Sequence, residues 1–444
     1  MARRGIPRSF LLGLMKVLVV GSGAREHALV WKLRHSPLIG ELYCAPGNVG
    51  MAKSADRVPI DTSSIVELAD FAASIKIDLT VVGPELPLSL GLVDEFQKRD
   101  LPIFGATKAS AEIETSKVFA KEFMTKHKIP TAHFDVAGTA EAARAILKRR
   151  KKAYPVVLKV DGLAGGKGVV VARDKKEADE AIETMLVERR FGSAGDRIVI
   201  EDCLEGLEAS FFALSDGQRV LPLVTCQDYK RLNDGDEGPN TGGMGGYSPS
   251  IHIDADAFRV IMDSILIPTI AGLAAEGRPY RGVLYAGLML TKAGPRVLEF
   301  NARFGDPEAE LIAVRMKSDL VPVLQATLAG RLDEVSIEWL KARSVCVVLA
   351  APGYPGEPKI DTPITGINAA AAMDGVEVFH AGTNVKDGKF VTAGGRVLSV
   401  TAVGASFAEA AQRCRAAADA IRFDGRHFRT DIARDAVEAL SHKS

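Results

Sequence analysis

Glu299-Phe300-Asn301-Ala302-Arg303-Phe304-Gly305-Asp306-Pro307-Glu308 is the stretch on which the reading of this chain turns. Val297–Phe300 has strand character and follows a second apolar run, Val283–Leu290, across a Gly-Pro turn. Side chains alternate along a strand, so Glu299 and Asn301 project to one face and Arg303 continues it. Two oxygen donors at i and i+2 suit Mg²⁺, which takes few protein ligands and shares phosphate oxygens. A guanidinium on the same line suits a carboxylate or an acyl-phosphate oxygen. The alternative is a structural ion-pair network. The preceding strand, Leu284-Tyr285-Ala286-Gly287-Leu288-Met289-Leu290, carries no acid that could serve a second metal.

Upstream, Lys159-Val160-Asp161-Gly162-Leu163-Ala164-Gly165-Gly166-Lys167-Gly168 lies between two predicted strands, Val156–Val160 and Val169–Ala172. The spacing is not that of a P-loop, and no helix follows directly. A glycine-rich turn between strands can fold over a triphosphate, with backbone N–H groups and the two lysines meeting its oxygens. A plain hairpin loop has the same composition. Lys159 is the more telling residue, because a charge on a buried strand needs a partner. About forty residues on, Glu201-Asp202-Cys203-Leu204-Glu205-Gly206-Leu207-Glu208 ends a strand in acids. Alone it reads as a solvated strand end.

Nearer the start, Gly21-Ser22-Gly23-Ala24-Arg25-Glu26-His27 follows the apolar run Val17–Val20 and opens a helix. A helix N-terminus with glycines favours an anion. A dinucleotide fingerprint fails here: Glu26 stands at the third glycine position, and Leu42–Ala45 runs into Pro46-Gly47-Asn48 with no acid at its end. Arg25 favours a phosphate or sugar-phosphate; a mere tight turn is the other reading. Gly83-Pro84-Glu85 ends a later strand at the same expected edge of the sheet.

Strands alternate with helical stretches from Lys16 to about Thr115, which predicts a doubly wound α/β domain. Ser116–His127 reads as a helix. Asn233–Tyr247, dense in Gly, Asp and Asn, reads as a long loop. Ala257–Glu276 reads as a helix with a kink or break at Pro268. A last module starts at Val345–Ala350 and holds a helix over Phe407–Ile421.

Composition bounds the rest. A chain of 444 residues suggests about three domains. Lys plus Arg and Asp plus Glu both number 56, so net charge argues against nucleic acid or membrane as the main partner. Five scattered cysteines without C-x-x-C argue against a disulfide framework or zinc site and fit a reducing, cytoplasmic compartment. Residues 1–14 are basic, then briefly apolar, too short to cross a membrane. They are read as a disordered extension or the product of an upstream start codon, since Met15 directly precedes the first strand; a targeting peptide is the other reading.

Taken in order, a lysine helix, a lysine strand with a glycine flap, an acidic hinge and a late E-x-N strand resemble the ATP-grasp superfamily. Within it the chain resembles the phosphoribosylamine–glycine ligase family from Met15 to about Arg434. The resemblance is carried by GSGAREHAL (21–29), APGN (45–48), VGPELPL (82–88), SKVFAKEF (116–123), KVDGLAGGKGV (159–169), QDYKR (227–231), GPNTGGMGGYSP (238–249), RFGDPEAE (303–310) and HAGT (380–383). It implies a mixed α/β architecture. An N-terminal doubly wound parallel-sheet domain that binds substrate covers 15–117. A central ATP-grasp domain covers 118–330, with a mobile glycine-flap subdomain over about 135–205, and a small C-terminal α/β domain covers 335–440.

The resemblance also implies roles. Lys121 and Lys159 contact ATP phosphates or adenine, and the flap Gly165, Gly166, Lys167 and Gly168 closes over the phosphates. Glu201 with the backbone of Cys203 and Leu204 receives adenine, and Glu208 the ribose. Glu299 and Asn301 hold Mg²⁺ or Mn²⁺. Arg303 and Asp228-Tyr229-Lys230-Arg231 line the glycine and transfer site, with Arg303, Asp228 and Lys230 as catalytic residues. Gly23, Arg25, Asn48, Glu85 and Arg303 bind 5-phosphoribosylamine. The implied reaction joins glycine to that amine through glycyl phosphate, at the expense of ATP, in purine biosynthesis. A monomer is expected, in transient contact with the enzyme supplying the amine. Another ATP-grasp carboxylate–amine ligase, or a carboxylase subunit, is the alternative.

Overall fold

The computed structural model describes residues 14–150, 154–165 and 167–441. The expected N-terminal extension, apart from Leu14, and the flap residue Gly166 lie outside the described residues.

The first domain is a five-stranded parallel sheet in the order Asp56–Arg57, Ile39–Pro46, Met15–Gly21, Leu79–Val82, Ile103–Phe104. Val17 to Val20 are wholly buried, as a central parallel strand covered on both faces requires. Leu18 and Val20 pack with Leu68, Ala69 and Phe96; Val17 and Val19 pack with Leu29, Val30 and Leu33 on the opposite face. Helices therefore cover both sides, as the strand–helix alternation predicts.

Two antiparallel four-stranded sheets follow. One runs Phe134–Ala137, Ile198–Asp202, Val156–Val160, Val169–Ala172 and has its own small core around Leu158, Val160 and Ile198. The other runs Val220–Pro222, Leu207–Asp216, Arg281–Thr291, Gly294–Asn301. In the last pair, Gly287 faces Glu299 while Leu288 faces Val297, so Leu298 is the extra residue of a β-bulge. The long strand Leu207–Asp216 starts inside the run that reads from sequence as a solvated strand end.

Helix Ala255–Ile261 continues through a π turn, Met262–Leu266, into Ile267–Ala275. The π turn sits just ahead of Pro268 and accommodates its missing N–H, so the expected break is a bulge in a continuous helix. This helix is long and apolar enough to cross a membrane by composition. It instead buries Ile261, Ile265, Leu266, Ile270 and Leu273 in the main core.

The last sheet has the order Gln227–Asp228, Gly245–Ser248, Arg343–Ala350, Arg396–Gly404, Val376–His380, packed under helix Phe407–Ala420. Two of its strands come from the stretch ahead of residue 250, so the C-terminal sheet extends across the central domain's sequence. The stretch read as one loop, Asn233–Tyr247, carries most of one such strand, Gly245–Ser248, and most of a short hairpin, Arg231–Asn233 with Glu237–Asn240. Its glycines hid that. A Cβ at Gly245 would lie 2.5 Å from the Cys346 carbonyl, and one at Gly246 2.5 Å from that of Gln227, so the strand has no side-chain pattern to read.

Candidate functional site

The flap sheet and the helix before it deliver two lysines to one carboxylate. Lys159 comes from strand Val156–Val160, Lys121 from helix Lys117–Lys126, and Glu201 from strand Ile198–Asp202. Lys121 Nζ lies 2.9 Å and Lys159 Nζ 3.0 Å from the two Glu201 oxygens, and all three side chains are buried. Lys121 also donates to Thr131 Oγ1, and Lys159 to the carbonyl of Leu298, both within 3.0 Å. The bulge turns that carbonyl out of the sheet ladder toward the lysine. Burial drives the Lys121 ammonium down to about 8 against the opposing pull of Glu201. The partner that Lys159 demands is thus Glu201.

The flap is rooted on the same helix. Asp161 Oδ1 accepts from Ser116 Oγ and from the Val118 N–H, at 2.9 and 2.8 Å, and so caps the helix from a distance. Lys117 donates to the carbonyl of Gly162 at 3.1 Å. At the tip, Gly165 adopts φ +57 with nothing within 4 Å of a would-be Cβ. Lys167 is exposed, and at Gly168 a Cβ would sit 2.3 Å from Val160 Cγ2, so only glycine fits there. Cys203 and Leu204 follow Glu201 and are half-buried.

Glu299 makes no side-chain hydrogen bond or ion pair with any described residue. Burial would raise its carboxyl, yet Lys230, Lys159, Lys117 and Arg303 around it outweigh that and hold it ionised. Asn301 Oδ1 accepts from Arg303 Nη2 at 3.1 Å and retains a second lone pair. An unpaired carboxylate two residues from an amide oxygen fits a Mg²⁺-type ion, which needs only one or two protein oxygens beside phosphates. Among the described residues there is no cluster of three acids, histidines or cysteines, so a dedicated protein cage for a metal is not formed here.

Beside this strand lies a second polar cluster. Lys230 Nζ is 3.1 Å from Glu208 and 3.5 Å from Asp228. Ser210 Oγ donates to Asp228 at 3.0 Å and lies 2.9 Å from the Tyr285 hydroxyl and 3.3 Å from Glu308. Burial, reinforced by Asp228, pushes the Glu308 carboxyl up to about 7. Glu308, Lys117, Glu114 and Asp161 had no role in the sequence reading. Glu308, Lys117 and Asp161 lie inside the quoted runs RFGDPEAE, SKVFAKEF and KVDGLAGGKGV but without an assigned role; Glu114 lies in none of them and matters through tertiary contacts alone.

Arg303 reaches into the first domain. Its Nε lies 3.1 Å from Glu85 and its Nη2 3.0 Å from Glu114, whose other oxygen accepts from the Ala302 N–H at 2.6 Å. Arg25 completes the set, 4.0 Å from Glu85 and donating to the Phe304 carbonyl. Glu26 pairs with Arg25 at 2.5 Å and accepts from the Gly23 N–H at 2.6 Å. A Cβ at Gly21 or Gly83 would overlap Glu26, at 2.4 and 2.1 Å. The glycines therefore pack around a carboxylate where a dinucleotide fold would place pyrophosphate. Asn48 is more distant in role: its amide donates to the carbonyls of Ser22 and His380, and its oxygen accepts from the N–H groups of Gly50 and Met51. Every hydrogen-bonding position of that side chain is filled by the protein.

A lysine-bearing flap sheet set against a bulged E-x-N strand defines an ATP-grasp enzyme. Models of the phosphoribosylglycinamide synthetase family match its N domain at residues 15–114, its ATP-grasp (A) domain at 115–309 and its C domain at 344–435. The chain belongs to that family, the phosphoribosylamine–glycine ligases. The phosphoribosylamine–glycine ligase of Pseudomonas aeruginosa is 49% identical over 426 residues, which span 95% of this chain and 98% of the relative. The crystal structure of the Thermotoga maritima phosphoribosylamine–glycine ligase superposes with a TM-score of 0.82 at 36% identity, covering 94% of this chain and all of that one. The biotin carboxylase domain of the Hydrogenobacter thermophilus 2-oxoglutarate carboxylase, at 18% identity and a TM-score of 0.71, shares the fold.

Proposed function

We propose that the chain joins glycine to 5-phosphoribosylamine with ATP, giving glycinamide ribonucleotide, ADP and phosphate, as its place among the phosphoribosylamine–glycine ligases implies. The observation that carries the site assignment is Glu299. It is an ionised carboxylate with no hydrogen-bond or ion-pair partner among the described residues; four cations surround it, and its strand also bears Asn301 and leads to Arg303.

ATP lies between the flap and this strand. Lys121 and Lys159 face its phosphates or adenine, and the Gly165–Gly168 turn covers the phosphates. Glu201, Cys203 and Leu204 flank the adenine, and Glu208 the ribose. Glu299 and Asn301 hold Mg²⁺ or Mn²⁺, which when bound supplies charge neutralisation on the transferring phosphoryl group. Arg303 and Lys230 orient the glycine carboxylate for attack on the γ-phosphorus, and Asp228 sits beside them. Positioning and electrostatics account for most of the rate in such transfers. The amine then attacks the acyl carbon of glycyl phosphate and phosphate leaves, with the closed flap excluding water. Arg25, Glu85 and the Gly23 turn line the side from which the phosphoribosylamine enters. Asn48 shapes that wall through its four hydrogen bonds.

The reaction needs only small molecules. The chain acts in the cytoplasm as a monomer, with a transient contact to the enzyme that makes the unstable amine. The test is ADP release with glycine and freshly generated phosphoribosylamine, each omitted in turn. Product should require both, and Glu299→Gln should abolish most turnover while leaving the fold intact. Turnover supported by bicarbonate in place of glycine would instead point to a carboxylase.

A further inference from the structure

The residues Asp228 and Lys230 are held from the far end of the chain. Gln227–Asp228 is the edge strand of the C-terminal sheet, two residues long and paired only to Gly245–Ser248 within that sheet. So short an element has little stability of its own. Along the extended segment, Tyr229 points away from its neighbours and packs against the C-terminal core. Its hydroxyl donates to Asp435 at 2.5 Å and accepts from the Ala433 N–H at 3.2 Å. The other oxygen of Asp435 accepts from the Tyr247 hydroxyl at 2.8 Å and lies 3.2 Å from His252 Nε2. One carboxylate thus ties the edge strand to its only neighbour in the sheet.

Arg429 closes the arrangement. It is 1% exposed, lies 4.7 Å above the Tyr229 ring, and pairs with Asp431 at 2.7 Å and Asp236 at 2.6 Å. It also donates to the Arg231 carbonyl at 3.2 Å. Further along, His427 Nε2 lies 2.8 Å from the Leu232 carbonyl, Asp431 accepts from the Gly235 N–H at 2.8 Å, and Asp234 accepts from the Thr430 N–H at 2.8 Å. The segment 427–435 therefore grips the segment 229–236 along its whole length. A buried guanidinium with two carboxylates and a ring face is costly to assemble and strongly directional, which suits holding a geometry.

We propose that Asp435 and Arg429 are positioning residues for Lys230 and Asp228. Through Tyr229 they set where the Lys230 ammonium meets Glu208 and Asp228, and the C-terminal domain thereby supplies part of the glycine site without touching substrate. The proposal rests on the assignment of Asp228 and Lys230 to that site.

The experiment measures initial rates of the full-length enzyme against glycine and ATP separately. The variants are Lys230→Ala, Asp435→Asn and Tyr229→Phe, with the double variant Tyr229→Phe/Asp435→Asn. Lys230→Ala should lower kcat/KM for glycine by at least 100-fold; if it does not, the site assignment itself is wrong. Given that loss, Asp435→Asn should lower kcat/KM for glycine about 10-fold or more, leave KM for ATP within two-fold, and gain little from adding Tyr229→Phe. Tyr229→Phe removes a single hydroxyl and keeps the test open if Asp435→Asn folds poorly. An equal change in the glycine and ATP constants, or a lowered melting temperature with kcat/KM for glycine intact in either variant, would overturn the proposal and leave these residues as stability elements only.

Discussion

Arg303 Nε lies 3.1 Å from Glu85 Oε2, joining the segment after the E-x-N strand of the ATP-grasp domain to the first domain just beyond its strand Leu79–Val82. Burial alone would raise the Glu85 carboxyl. Arg303 and Arg25 outweigh it and hold the group down to about 2. The carboxylate is thus ionised at neutral pH, and it lines the side from which phosphoribosylamine is proposed to enter. Glu85→Gln should weaken kcat/KM for phosphoribosylamine more than that for ATP. In a double-mutant cycle with Arg303→Met, the two losses should fall short of additive by about 0.5–3 kcal/mol, as for residues in one charge network. Strict additivity would mean that the pair does not act as a unit.

Glu201 is the shared counter-charge of Lys121 and Lys159. Glu201→Gln would leave two buried ammonium groups without it. Removing one partner of a buried ion pair costs about 3–5 kcal/mol. The variant should therefore show a lower denaturation midpoint and weaker ATP binding by calorimetry. Glu201→Gln with an unchanged midpoint would show that the lysines are neutral or solvated in the native state.

These residues mark where the sequence was readable and where it was not. Val156–Val160 and Val169–Ala172 have the expected bounds because apolar β-branched runs between turns admit few other structures. Lys159 on such a run demands a partner, but nothing local names Glu201 as that partner. Glu26 ruled out a dinucleotide site, and its carboxylate does fill the space between Gly21, Gly23 and Gly83. The strand Gly245–Ser248 escaped notice because glycine leaves no alternation to see. So did the grip of Asp435 on Tyr229, because a contact across 206 residues has no local signature.

The first and last domains meet through two histidines. His27 Nδ1 accepts from the His380 N–H at 2.8 Å, and the two rings are 5.7 Å apart. Burial, with His380 and Lys53 nearby, drives His27 down to about 3; burial and Lys53 drive His380 down to about 4. Both imidazoles stay neutral in the folded state while the unfolded chain protonates near its ordinary 6.5. The unfolded state then binds more protons, so stability is lost as pH falls from about 6.5 through the folded values. His27→Gln should flatten that slope in acid-unfolding curves. A variant whose midpoint falls with pH as steeply as that of the parent would place the acid sensitivity elsewhere.

Glu308 acts with the opposite sign. Its carboxyl is raised from 4.5 to about 7 by burial and by Asp228, so between those values the folded state holds a proton that the unfolded state has released. Stability contributed by the protonated form is complete below about pH 4.5 and is lost as pH rises through about 7. Glu308→Gln keeps a neutral side chain of the same shape at every pH. Compared with the parent, it should gain relative stability as pH climbs through that window, read as a growing difference in denaturation midpoint. A constant difference from acid to neutral pH would mean that Glu308 binds its proton equally well in the folded and the unfolded chain, and that Ser210 and Lys230 offset the cost of its burial.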